Sequence, residues 1–230
     1  YPDTIQLGDV TKIKYSGNHK IDLVIGGSPC QDFSQANRVR DGLNGAKSGL
    51  FYEYVRLLNE VKVYNPDVMF LLENVKMKKE YQDIISDILG VEPIAINSKL
   101  VSAQMRNRLY WTNIPNVTVP EAVDVELKDI LTDGYTTKKK AYCLLESESR
   151  PQSTNWKRFR RWRKKGFVNI VFETEDLNIF KNRILNQTEL ERLQNIPEGY
   201  TKSLTRNESA SLIGDGWTVN VITHIFKNIQ

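Results

Sequence analysis

The stretch Leu23-Val24-Ile25-Gly26-Gly27-Ser28-Pro29-Cys30-Gln31-Asp32-Phe33-Ser34 decides how the chain is read. Leu23 to Ile25 is a continuous apolar run stopped by glycines, which marks a buried strand. Gly26 and Gly27 allow a sharp turn out of it, and Pro29 fixes the backbone directly before Cys30. Open α/β sheets bind ligands at the carboxyl ends of their strands. Cys30 therefore has the address of a nucleophilic thiol, whose thiolate neighbouring cations or helix N-termini can favour. The other reading of a lone cysteine is a small buried hydrophobe, and the turn by itself leaves both open.

Working outward, short apolar runs alternate with helix-period segments, the pattern of a parallel sheet covered by helices. From Gly49 the apolar residues Leu50, Phe51, Tyr54, Val55, Leu57, Leu58 and Val61 recur at three- and four-residue steps, so a helix is expected, stopped by Pro66. Val68 to Leu72 reads as a second buried strand delivering Glu73, Asn74 and Val75 at its end. A helix is expected around Tyr81 to Leu89, then a strand, a loop and a strand between Pro93 and Pro115. These elements form an α/β portion over 1–114. Residues 115–182 change to turn residues and charge clusters without a sustained period and read as a small irregular lobe. Residues 183–230 carry a short helix from Asn186 and two helices broken at Gly214-Asp215-Gly216.

A glutamate emerging from an apolar strand is costly to bury without a partner, so Glu73 marks either a cleft edge or a surface strand end. If the strands before Cys30 and Glu73 are parallel neighbours, the two residues face one pocket, a nucleophile beside a carboxyl group that can hold or protonate a substrate. Arg106 and Arg108, two apart in an extended segment, fall on one side. They read as a grip on a phosphate, carboxylate or base edge, or as two solvated side chains.

The 230 residues carry 32 Lys and Arg against 28 Asp and Glu. The excess is small but concentrated in Lys138 to Lys140 and in Asn155 to Phe167, so an anionic partner is favoured. In the second run Arg158, Arg160, Arg161 and Arg163 interleave with Trp156, Phe159 and Trp162, a composition that suits phosphate contact and groove entry when it is not a solvated face. Two distant cysteines and two histidines argue for a reducing compartment and against a disulfide framework or a metal site. No apolar run reaches transmembrane length and no signal peptide is visible, so no membrane partner is expected.

Taken together, GGSPCQDFS, LLENV, AQMRNRLYW and IGDGWTVNVI stand in the order and approximate spacing of the cytosine-5 DNA methyltransferases, and the chain resembles that family over nearly its whole length. GDVTKI, SGLFYEYVRLL and the tryptophan of GDGWTVNVI are similar to the vertebrate de novo branch, while the glutamine of PCQ is the bacterial and phage form. The resemblance implies a Rossmann-like S-adenosylmethionine-dependent methyltransferase fold with a small target recognition lobe at 115–182 and C-terminal helices returning to the catalytic domain. It also implies a fold incomplete at its N-terminus: the family's Gly-rich first motif and the acid ending its second strand would precede Tyr1, so roughly forty upstream residues are expected, the length of two βα units.

The implied chemistry is addition of Cys30 to carbon 6 of a flipped-out cytosine, with Glu73 on ring nitrogen 3, Arg108 on the base, and Arg106 supporting the Cys30 loop and a neighbouring phosphate. Methyl transfer from S-adenosylmethionine to carbon 5 leaves S-adenosylhomocysteine. For the cofactor the resemblance points to Asp9, Val10, Ser28, Pro29, Leu50 and Trp217. For double-stranded DNA it points to Gln31, Ser34, Arg158, Arg160, Arg161 and Arg163. Asp215 stands where many bacterial members carry asparagine. The short lobe suggests a short target sequence or a partner, either a second copy or a methyltransferase subunit. A cytoplasmic enzyme of bacterial or phage origin is implied, with a role in restriction-modification. The competing expectations are a catalytically silent accessory protein that binds DNA or a related enzyme, and a DNA-binding fragment that takes no cofactor.

Overall fold

The computed structural model describes residues 3–28, 49–165 and 168–229. They gather into two compact units, one of Tyr1–Ile96, Asn107–Val119 and Ile229, the other of Asn97–Arg106, Pro120–Asn228 and Gln230.

The first unit is an α/β sheet. Strand β1 (Leu23–Gly27) leads to helix α1 (Gly49–Tyr64), strand β2 (Met69–Val75), helix α2 (Lys79–Leu89) and strands β3 (Ile94–Asn97) and β4 (Asn107–Thr112). The sheet order is β1-β2-β4-β3. In α1 the apolar stripe Phe51, Tyr54, Leu58 and Val61 is buried. The helix ends before Pro66, which disfavours helical backbone at Asn65; Asn65 then turns its side-chain amide onto the Ile21 carbonyl at 2.6 Å. Helix α2 closes on Gly90, at φ 73°, whose N–H donates to the Ser86 carbonyl, the left-handed stop that glycine adopts without a Cβ penalty. Side chains of β2 alternate. Phe70 and Leu72 join Phe51, Leu58, Ile85, Leu109 and Trp111 in the helix-side core, so Leu71 and Glu73 take the opposite face.

Two features depart from the expected parallel pattern. Strand β2 does not stop at Leu72: Glu73, Asn74 and Val75 are inside it, because β4 continues the ladder as far as Val75 opposite Arg108. The β2/β4 pairing is antiparallel, whereas β1/β2 is parallel. A parallel return needs a crossover of a dozen or more residues, and a short loop with one 3₁₀ turn, Ser98–Leu100, separates β3 from β4.

The second unit contains α3 (Leu127–Ile130), α4 (Asn155–Lys165), the hairpin strands β5 (Ile170–Phe172) and β6 (Asn182–Ile184), and helices α5 (Gln187–Leu193), α6 (Arg206–Asp215) and α7 (Val219–Phe226). The basic run expected to be irregular is the regular helix α4. Leu127, Ala141, Leu144 and Val171 share one core with Leu185, Leu190, Leu193, Ala210 and Ile213. Residues of 115–182 and of 183–230 therefore share one core within the second unit. A segment with few apolar residues of its own needs that shared core to bury enough surface.

Candidate active site

The register of β1 and β2 builds the site. In this parallel pair Gly27 lies opposite Glu73, so the chain leaves β1 beside the glutamate. Glu73 is 8% exposed and sits on the central strand, where an isolated carboxylate would be costly. Its partner comes from β4. Tyr110 is directly opposite Glu73, which makes Arg108 the diagonal neighbour on the same face, within reach of a long side chain. Arg108 Nε lies 2.8 Å from Glu73 Oε1, both side chains largely shielded from solvent. The Arg108 Nη1 also donates to the Asn107 carbonyl at 3.0 Å. A carboxylate and a guanidinium held side by side present an acceptor and a donor together, the complement of a planar amide or base edge.

Asn74, absent from the candidates read in the sequence, ties the two strand ends. It is 1% exposed, and its amide nitrogen donates to Ser28 Oγ at 2.9 Å while its Oδ1 accepts the Val75 N–H at 2.8 Å. Asn74 thus ties Ser28, the last described residue after β1, to β2. The signal was in the sequence: a small amide directly after the glutamate, on a strand too apolar to leave it unpartnered. Pro29, Cys30, Gln31 and Ser34 lie outside the described residues.

Asp9 and Val10 form a separate turn of the same unit. Asp9 Oδ1 accepts from the Thr11 N–H at 3.0 Å and the Thr11 hydroxyl at 2.9 Å. Those bonds hold its exposed carboxyl below the ordinary carboxylate range, the backbone bond contributing most. The Val10 carbonyl accepts Arg56 Nη2 at 3.0 Å, and Arg56 is itself paired with Glu53 and Glu60 on α1. The turn is therefore pinned to the helix that Gly49 and half-buried Leu50 open. Asp9 is thus an ionised acceptor with an apolar neighbour, Val10, in a turn held on α1.

Arg106 and Arg108, expected on one side of one strand, serve different partners. Arg106 precedes β4, belongs to the second unit and is 5% exposed. Its guanidinium donates to the carbonyls of Leu144 (3.0 Å), Gly214 (3.3 Å) and Gly216 (2.8 Å). The last two are unsatisfied acceptors at the carboxyl end of α6, where a cation is also favoured by the helix dipole. Gln194 joins them, donating to Ile213 and Gly216 at 3.1 Å and accepting from Gln104 and Thr218. This buried network fixes the turn on which half-buried Trp217 sits. Within the second unit these carbonyls are the described partners of the Arg106 guanidinium, and the Cys30 loop that it was expected to support lies outside the described residues.

Helix α4 divides its arginines. Arg158 faces inward, donating to the Gln152 and Asn182 carbonyls at 3.0 Å, and Arg161 lines a small crevice with Glu148, Arg150 and Val168. Arg160 and Arg163 are exposed and line a groove with Trp156, Lys164 and half-buried Phe159. The sequence alone grouped all four because a charge run carries no record of which side meets the protein. Among the described residues no group of three or more His, Cys, Asp or Glu is placed to hold a metal ion, and no helix is long and apolar enough to cross a membrane.

The family described as C-5 cytosine-specific DNA methylase matches residues 1–91. The orphan methyltransferase M.SPRI of Bacillus phage SPR is 31% identical over 146 residues, 57% of this chain and 32% of the relative. The type II methyltransferase M.FnuDI of Fusobacterium nucleatum is 32% identical over 143 residues, 55% of this chain and 40% of the relative. The chain thus spans between about a third and two fifths of the length of these curated relatives. Among solved structures, the Entamoeba histolytica methyltransferase EhMeth superposes with a TM-score of 0.69 at 14% identity, over 100% of this chain and 85% of that one. The S. pombe Dnmt2 methyltransferase does so with a TM-score of 0.62 at 14% identity, over 89% and 77%. These similarities show the fold, a Rossmann-like α/β methyltransferase fold. Its residues 1–91 are similar to the C-5 cytosine-specific DNA methylase family, and its aligned relatives are methyltransferases.

Proposed function

We propose that this protein methylates carbon 5 of cytosine in DNA, with S-adenosylmethionine as the donor. One observation carries the reading: the parallel register that sets Gly27 beside Glu73, with Arg108 Nε 2.8 Å from the carboxylate. It puts the strand end that leads to Cys30 next to a carboxylate–guanidinium pair suited to the edge of a cytosine.

In this reading the target base leaves the duplex. Arg108 donates to the base and Glu73 supplies the proton held at ring nitrogen 3. The thiolate of Cys30 adds to carbon 6, forming a carbon–sulfur bond, and the electron pair displaced by that addition makes carbon 5 nucleophilic. Bound S-adenosylmethionine supplies an electrophilic methyl group, and S-adenosylhomocysteine is the product. The carbon 5 proton then passes to solvent water, its electron pair re-forms the ring double bond as the carbon–sulfur bond breaks, Cys30 departs as thiolate, and the nitrogen 3 proton returns to Glu73. Asp9, Val10, Leu50, Ser28 and Pro29 are assigned to the donor, with Asp9 accepting from an adenine amino group. Asn74 is a positioning residue for Ser28, and Arg106 is one for the turn bearing Trp217. Arg160 and Arg163 contact DNA phosphates, and Gln31 and Ser34 contact DNA beside the target base.

The test is transfer of labelled methyl from S-adenosylmethionine to duplex DNA by the intact protein. Label on carbon 5 of cytosine is expected, with loss of more than a hundredfold in rate in Cys30→Ser and Glu73→Gln, the scale of a lost nucleophile or acid. Undiminished labelling by Cys30→Ser would remove the thiol from the mechanism, and label on another atom would remove the reading.

A further inference from the structure

The outer face of α4 is shaped for more than phosphate contact. Trp156, Phe159, Arg160, Arg163 and Lys164 line an open groove of about 410 Å³, within the size range of small-molecule sites. Their spacing is that of one helix face, so the groove runs along the helix. Inward, Phe159 and Trp162 pack on Val168, Ile170 and Phe172, where their rings serve the core. Trp156 does not: it is 47% exposed. Its ring is nevertheless held, stacked on Phe159 and Phe180 with centroids at 6.0 and 6.1 Å and both at 28°. Asn155 braces this end by donating to the Phe180 carbonyl. An indole kept in place by two neighbours, partly open to solvent and bordered by three cations, presents a stacking surface in a strongly positive field.

We infer that this groove takes an unpaired nucleobase of the DNA strand, stacked on Trp156, with its flanking phosphates on Arg160, Arg163 and Lys164. The inference rests on the DNA-binding reading above and deepens it. Charge complementarity selects a polyanion, and the aromatic wall selects one that carries planar groups. A fully paired duplex offers phosphates but keeps its bases stacked inside, so it engages the cations and leaves the indole unused. A base already displaced from the stack engages both.

The experiment measures binding of the intact protein to two fluorescent DNA duplexes of equal length. One is fully paired, and the other carries a single bulged 2-aminopurine. The bulged probe is expected to bind more tightly and to lose fluorescence on binding. Trp156→Ala should weaken the bulged probe about tenfold (~1.4 kcal/mol), the scale of one base–aromatic stack, and leave the paired probe unchanged. Trp156→Leu keeps apolar contact with Phe159 and Phe180, so its unchanged thermal melting together with the same selective loss would isolate stacking from folding. Arg160→Gln with Arg163→Gln should weaken both probes and flatten the salt dependence. Equal binding of the two probes by the parent protein, or full affinity for the bulged probe in both Trp156 variants, overturns the inference while leaving DNA binding intact. Absence of binding to either probe at low salt overturns the DNA reading and the inference together.

Discussion

At the scale of single residues, the site depends on which charges share a shielded environment. Glu73 and Arg108 desolvate one another's neighbourhood, so each is costly without the other. Arg108→Gln alone should lower unfolding stability by roughly 3 kcal/mol, and adding Glu73→Gln should restore part of it. Urea unfolding of both single variants and the double variant checks this, and purely additive losses would mean the pair is not coupled. Arg106 poses a different case, because its partners are carbonyls. Arg106→Gln takes the side-chain donor from the buried Gly214 carbonyl, at a cost of about 1–3 kcal/mol for a buried group left unpaired, while the Gly216 carbonyl keeps Gln194. The same variant should raise the exposure of Trp217, read as stronger quenching of its fluorescence by iodide.

The secondary-structure elements depend on two close approaches that only glycine allows. A Cβ at Gly26 would lie 2.7 Å from Tyr54 Cδ2, so the bare backbone of β1 lets the buried Tyr54 ring of α1 rest on it. A Cβ at Gly214 would meet the Leu145 backbone carbon at 2.7 Å and the Glu146 nitrogen at 2.8 Å, where α6 packs on the 3₁₀ turn Glu146–Ser149. A ring can tilt and backbone cannot. Gly26→Ala should therefore cost about 1 kcal/mol and Gly214→Ala roughly 3 kcal/mol in denaturant unfolding, and a reversed order would show that α6 can shift more readily than Tyr54. Helix α4 makes the related point about sides: Arg158→Gln should lower stability with little change in DNA affinity, whereas Arg160→Gln should do the opposite.

For the molecule as a whole, one buried carboxyl sets a pH dependence. Glu148 is 3% exposed. Burial pushes its carboxyl from 4.5 up to about 7 against the pull of the Asn169 N–H, Arg206 and Arg161. Burial likewise lowers Arg206, whose guanidinium is 3.8 Å away, too far for the attraction to offset desolvation of both groups. The folded protein then holds a proton that the unfolded chain releases at lower pH. That contribution is fully present below about 4.5 and lost as pH rises to about 7, amounting to about 3 kcal/mol. Melting curves of Glu148→Gln against the parent should show a flatter slope across that window. Parallel curves would mean that Glu148 ionises in the folded state as it does in the unfolded chain.

Much of this architecture was legible in the residues. The apolar stripe of α1, the strands carrying GGS and ENV, the α5 helix and the break between two C-terminal helices, which falls at Gly216 just after the expected Gly214, follow from local rules of period, capping and backbone freedom, which act over a few neighbours. The family resemblance, carried by motifs along the chain, was legible for the same reason, and so were Glu73 and Arg108 as candidates. What the residues could not state were choices between distant segments. Helix formation from Asn155 to Lys165 was hidden by a composition that has too little apolar surface to signal itself, and its aromatics find their core only when β5 and β6 pair. The split of Arg158 from Arg160, the antiparallel return of β4, and the commitment of Arg106 to carbonyls more than a hundred residues along the chain likewise depend on contacts made after folding. By itself the sequence determined the strands, most of the helices and the chemical groups they carry, since propensity and pattern are local. Only the tertiary structure decided which of those groups face one another, because pairing register and burial are properties of surfaces that no single segment possesses.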